Sequence, residues 1–375
     1  MLAGGTITNG ATGQLYLGNA SGSNTVTVSG TGSLFTQQGL ITVGNTNGVY
    51  NNNALLIGAG GTMNVTDSGN TGLGIVVYGL TGATGNKVQV DGGSLNVVSA
   101  GSSTPAIDVK KGALILNSGS VTTERLLANT DATSVVTFNG GSLTTKGTTV
   151  ANGAVFTVGN GSSAATLKLD GGSHSFANGI TLANSSTLIG TGTITTGALA
   201  VASGATLSPG NSPGTLTLGA TTLEGGGNYN WQMLNAIGVA GTGYDTITLT
   251  TGAALTLNNT SGNKFNINLW SLSSILPDVN GNAANFNNAL SQSWTLFSTD
   301  QAISGFSANK FAVNVAANDG TGGFSNGLAG GAFGVALADG GTDLVLTFTA
   351  VPEPGAWLLG ALGLAAGALR RRRLA

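Results

Sequence analysis

The chain has 375 residues, 64 of them glycine and none cysteine, and its 12 basic and 14 acidic side chains leave it only 7% charged. That balance excludes a disulfide framework or a thiolate metal site, and it leaves no basic patch for nucleic acid outside the extreme C-terminus. Hydrophobic residues make up 41%, too many for a disordered chain. Abundant Gly, Thr, Ser and Asn beside Val, Leu and Ile point instead to short strands and tight turns.

From about Asn24 to Leu218 one phrase recurs: a glycine turn with a small residue, followed by an apolar β-former. It reads Thr31-Gly32-Ser33-Leu34, Gly60-Gly61-Thr62-Met63, Gly92-Gly93-Ser94-Leu95, Gly140-Gly141-Ser142-Leu143 and Gly204-Ala205-Thr206-Leu207. Between these lie alternating runs such as Val26-Thr27-Val28, Val88-Gln89-Val90, Leu114-Ile115-Leu116 and Leu167-Lys168-Leu169. Alternation with period two predicts half-buried strands. The main Gly-Gly phrases recur roughly every 20–30 residues, the spacing of a solenoid. One such repeat cannot close a core alone, but stacked coils bury a continuous apolar column. Residues 1–219 are therefore read as β-solenoid repeats.

Two stretches of this region carry family resemblances. Asn24–Val65 resembles repeats shared by type V secretion passengers and PEP-CTERM proteins. Thr166–Leu218, with Ser-Pro-Gly-Asn-Ser-Pro-Gly at 208–214, is similar to the passenger-associated transport repeat of autotransporters. Both resemblances imply a right-handed parallel β-helix.

Near Gly219 the composition shifts. All four tryptophans and eight of the twelve phenylalanines lie beyond it, and such side chains suit a thicker core. Strands are expected at Asn228–Leu234, Asp245–Leu249, Ala254–Leu257, Phe265–Trp270, Trp294–Phe297, Phe311–Val315 and Leu344–Phe348. Residues 220–350 are read as a β-sandwich-like cap on the solenoid.

Catalytic chemistry finds little support. Asp67, Asp91, Asp108, Asp131 and Asp170 are scattered, and Asp91 and Asp170 precede Gly-Gly turns, where Asp and Asn favour turn formation. His174, the only histidine, is expected at the surface in a repeat turn. Lys110-Lys111 and Glu124-Arg125 are expected to be solvated loop charges, and Glu224 stands alone. Asp278-Val279-Asn280-Gly281-Asn282 departs from a calcium loop, with Ala283 and Ala289 where glycine and glutamate belong. Asp339-Gly340-Gly341-Thr342-Asp343 reads as a hairpin turn. Thr-x-Thr pairs at 25/27, 193/195, 215/217 and 246/248 suggest an ice-binding face, but they are not expected to recur at one coil position. No catalytic residue, cofactor or metal site is assigned.

The C-terminus is more specific. Pro352-Glu353-Pro354 precedes an uncharged run of 15 residues, Gly355–Leu369, and then Arg370, Arg371, Arg372 and Arg373. The run is shorter than the ~20 residues that comfortably span hydrocarbon, which suits a temporary anchor. The arginines are expected to stay cytoplasmic, and the two prolines keep the preceding backbone extended. Without this tail the remainder keeps 8 basic and 13 acidic residues. In this order, at this end, the three features resemble the PEP-CTERM sorting signal of Gram-negative bacteria, over 351–375. That resemblance implies a short transmembrane helix, recognition and cleavage by an exosortase, and delivery to the cell surface or extracellular matrix. Export also needs an N-terminal signal. Met1–Thr6 has neither a basic nor an apolar region, so the true start is expected upstream. The first functional reading is a non-enzymatic surface or matrix protein of a biofilm or adhesive layer, able to bind exopolysaccharide or surface glycans. A polysaccharide-active β-helix lyase or glycosidase and an autotransporter-like passenger are the alternatives.

Overall fold

The computed structural model describes residues 4–10, 13–67, 73–99, 104–129, 131–210, 212–316 and 323–351. Among these residues there is no α-helix. Apart from two short 3-10 turns, all regular structure is strand.

One turn of the chain lays down three strands, Thr25–Val28, Ser33–Gln37 and Ile41–Val43. The next turn, Ala54–Gly58, Gly61–Asp67 and Leu73–Val77, pairs with it in parallel, strand over strand. The pattern continues as far as Leu255–Leu257, Phe265–Ile275 and Gln292–Ser298. The molecule is thus a three-faced parallel β-solenoid. The first two faces form one 21-stranded sheet and the third belongs to a 13-stranded sheet. The first two are fused because Lys87–Ser99 and Gly112–Thr123 run unbroken around the corner between them.

Alternation along each strand sends every second side chain inward. On the second face Phe35, Met63, Leu95, Val121, Leu143, Leu167, Leu188 and Leu207 stack in register, and all are buried. Each such side chain contributes roughly 1.5–3 kcal/mol on burial. Leu55, Val88 and Leu114 form the matching column on the first face. Ile41, Ile75, Ile107 and Leu126 form it on the third.

The Gly-Gly phrases are the corners between first and second faces. Gly119 and Gly141 sit at φ +88° and +84°, and a Cβ on Gly141 would run into the carbonyl oxygen of Gly119. Backbone stacked this closely in the left-handed region requires glycine. Polar groups turned inward are matched between coils. Asn24 Nδ2 donates to Asn53 Oδ1 at 2.9 Å, and Asn53 Nδ2 donates to Asn86 Oδ1 at 3.0 Å. Asn86 Nδ2 closes the ladder on the Tyr50 and Tyr78 carbonyls.

The parallel ladders do not stop at residue 219, where a separate cap was expected to begin. Thr221–Leu223, Asn228–Met233 and Thr246–Leu249 pair in parallel with the coil before them, and Phe311–Asn314 still pairs in parallel with Phe265–Ile275. The change of composition marks larger coils of the same solenoid. Stacked partners lie 26 residues apart at Ser94 and Ser120, but 38 apart at Asn228 and Asn266 and 46 apart at Asn268 and Asn314. Tyr229, Trp231 and Phe265 fill the inward positions there. Antiparallel closure comes later: Asp343–Thr349 pairs with Gln292–Ser298 on one side and Ala332–Ala338 on the other.

Candidate functional site at the exit of the C-terminal tail

Pro352, Glu353, Pro354 and Arg370–Arg373 lie outside the described residues, as does the apolar run 355–369. No helix among the described residues is long and apolar enough to cross a membrane. The structure shows how the chain is held before that tail. Asp343–Thr349 is the middle strand of the antiparallel trio, with Gln292 and Phe333 opposite Phe348. Phe348 is buried against Phe286, with ring centroids 5.0 Å apart. The Ala350 N–H donates to Ser291 Oγ at 3.2 Å, and Val351 is exposed. The tail therefore leaves directly from a sheet, with no flexible spacer before it.

A cleft of about 850 Å³ opens beside this exit, and Ile237, Asn285, Phe286, Asn288, Gln292 and Trp294 are among its lining residues. Trp294 is buried beneath it, and its indole N–H donates to the Ala236 carbonyl at 2.7 Å. Phe286 packs on Trp294, Phe324 and Phe333. The Asn288 amide donates to the Gly327 carbonyl at 2.8 Å, Gln292 to the Asn287 carbonyl at 2.7 Å, and Asn285 to Asn235 Oδ1 at 2.9 Å.

Three ion pairs stand among the described charged residues. Lys110 lies 3.7 Å from Asp108, Lys111 lies 3.8 Å from Asp131, and Lys146 lies 3.0 Å from Glu124. Lys110, Lys111 and Glu124 are thus ion-paired, not free solvated charges. Asp108 is buried, and desolvation pushes its carboxyl up against the opposing pull of Lys110. Glu224 is not alone either, since it accepts from Asn258 Nδ2 at 2.8 Å. Among the described residues no three His, Asp or Glu side chains gather in metal-binding array. The Asp339 turn joins two antiparallel strands as expected.

His174 overturns its surface expectation. It points inward from Ser173–Phe176 and is fully buried. A carbonyl can only accept, so Nε2–H donates to Gly171 O at 2.9 Å, and Nδ1 accepts from the Thr148 hydroxyl at 3.1 Å. Burial pushes its pKa down, against the smaller opposing effect of the Gly171 bond. Of the threonine pairs, Thr215 and Thr217 do lie directly over Thr246 and Thr248, contrary to expectation, whereas Thr193 stands over Thr217 and Thr25 and Thr27 stand over Ala54 and Leu56.

Asp245 escaped the sequence reading as a chemical group. Its side chain is fully buried and accepts the Gly214 N–H at 2.7 Å and the Gln232 N–H at 2.8 Å. Its carbonyl accepts the Trp231 indole N–H at 2.7 Å. Desolvation pushes the carboxyl well up, opposed by those two backbone bonds. Asp245 thereby ties the end of the Ser-Pro-Gly-Asn-Ser-Pro-Gly corner to the first of the larger coils. Its place just before a β run, Thr246–Leu249, was the only available signal.

Fold and exit geometry define an all-β parallel solenoid with a C-terminal extension hung from its closing sheet. Residues 350–373 match the PEP-CTERM protein-sorting motif, and that motif indicates an exported protein sorted through an exosortase at the membrane. A search of curated proteins finds no match to the chain.

Proposed function

We propose that the protein is a non-enzymatic structural component of the surface or extracellular matrix of a Gram-negative bacterium, with an adhesive role in a biofilm. Residues 355–369 hold it briefly in the inner membrane, and an exosortase cuts near Pro352–Pro354 to free residues before the cut. The observation that carries this reading is the match at 350–373, placed immediately after a strand that ends at Thr349. The solenoid suits adhesion because its second face carries a stripe of small polar side chains: Ser120, Ser142, Thr166, Thr187, Thr206 and Asn228 stack in register. Repeated hydroxyl and amide groups hold polysaccharide through many weak hydrogen bonds. Mass spectrometry of surface-recovered protein, from cells with and without exosortase, tests the reading. The expected product lacks Arg370–Ala375 only when exosortase is present. Surface protein with an intact Arg370–Ala375 end refutes it.

A further inference from the structure

We propose that the cleft beside Ala350 binds a neutral carbohydrate chain; this deepens the glycan-binding part of the reading above and rests on it. Its volume, about 850 Å³, falls in the range of small-ligand sites. None of its lining residues is Lys, Arg, Asp, Glu or His, so it offers no partner for an ionic ligand, and burying an unpaired charge there is costly.

What it offers instead is a set of amides fixed at one end. Asn285, Asn288 and Gln292 each commit one N–H of the NH₂ group to an oxygen of the protein. Those bonds assign the amide orientations, and they leave Asn285 Oδ1, Asn288 Oδ1 and Gln292 Oε1 without partners among the described residues. Asn287 is held the opposite way: its Oδ1 accepts the Ala289 N–H at 3.0 Å, which leaves the NH₂ group as a donor. Three acceptor oxygens and the remaining amide N–H donors, already ordered, match the hydroxyls of a sugar, each of which both donates and accepts. Ordering before binding removes part of the entropic cost.

The apolar half of the lining completes the match. Ile237 and Leu290 are 75% and 59% exposed, and half-buried Phe286 lies between the amides. Together they give apolar surface to the C–H faces of a pyranose.

Isothermal titration of the full chain with neutral pentasaccharides (cellopentaose, mannopentaose) and with an acidic oligogalacturonate tests the proposal. At least one neutral sugar is expected to bind saturably, with an affinity unchanged between about 50 and 500 mM salt, since no charges are screened. The oligogalacturonate is expected not to bind in the cleft. The double substitution Asn288→Ala/Gln292→Ala should weaken binding about tenfold or more, since each lost bond is worth about 0.5–1.5 kcal/mol. Leu290→Arg, at an exposed position that leaves folding intact, should abolish it. Lys87→Ala/Lys111→Ala, in a groove on the first face, should change nothing. No binding of either neutral sugar, or binding that both cleft variants leave intact, overturns the proposal. The sorting reading is decided separately by the C-terminal mass of surface protein, so the two can fail independently.

Discussion

The coils between Thr25 and Leu218 fill their interior mainly with aliphatic side chains, whereas those after Gly219 add buried tryptophan, tyrosine and phenylalanine rings to the aliphatic columns. In the earlier region columns such as Leu143, Leu167, Leu188 and Leu207 repeat a similar volume coil after coil. In the later region that column continues through Tyr229 and Ile267, and Trp231 and Phe265 fill other inward positions. Trp231 and Trp294 approach to 6.2 Å between ring centroids, and Phe286 packs on a further set of rings. The longer coils, of 38 or 46 residues against 26, are thus also those that bury rings, and those rings help fill the interior at the density of a protein core.

The comparison breaks most readily at Trp294. Trp294→Ala should cost about 3–5 kcal/mol, with loss of the near-ultraviolet circular dichroism of the aromatic cluster. Leu167→Ala should cost about 2–5 kcal/mol and leave that signal in place. If the regions are independent, Trp294→Ala will split thermal unfolding into two transitions; a single transition would show that they unfold as one body.

Corner glycines give the next largest effect. Gly141→Ala combines a positive φ with a collision against the Gly119 carbonyl, while Gly252→Ala, at φ +78°, meets open space. The second should cost about 1–2 kcal/mol and the first clearly more, as read from denaturant midpoints.

His174 in the earlier region and Asp245 in the later one should respond to pH with opposite sign. His174 is held neutral by burial. As pH falls below about 6.5, the unfolded chain takes up a proton that the fold refuses, and stability falls. Asp245 has a raised carboxyl pKa, so above the ordinary Asp value the fold keeps a proton that the unfolded chain has released. Its contribution therefore falls as pH rises toward the raised value. Thermal melts across pH should show Asp245→Asn flattening the upper limb and His174→Asn flattening the lower one. Unchanged pH profiles in both variants would remove these groups from the comparison. The smallest effect is expected at Tyr229, whose hydroxyl is buried without a hydrogen-bond partner. Tyr229→Phe should leave stability unchanged or raise it by up to about 1 kcal/mol.

Period-two alternation and the spacing of the Gly-Gly phrases were enough to read a β-solenoid, because strand pitch and glycine turns are local properties of the chain; that its strands run parallel was implied by the family resemblances. The terminal order of Pro352–Pro354, an apolar run and Arg370–Arg373 was legible for a similar reason, since an address must be recognised in a linear segment. The extent of the solenoid was not legible: tryptophan and phenylalanine signal a larger core without saying which strands pair around it. His174 and Asp245 were hidden for a related reason. A polar residue is buried only when another coil supplies its partner, here Thr148 for the histidine and Gly214 and Gln232 for the aspartate.

By itself, then, the sequence determined the coil architecture and the terminal address, both written in short-range patterns. Only the tertiary structure decided where the ladders end, which polar groups lie inside, and that Asn285, Asn288 and Gln292 converge on one cleft, because each depends on contacts between residues distant in the chain.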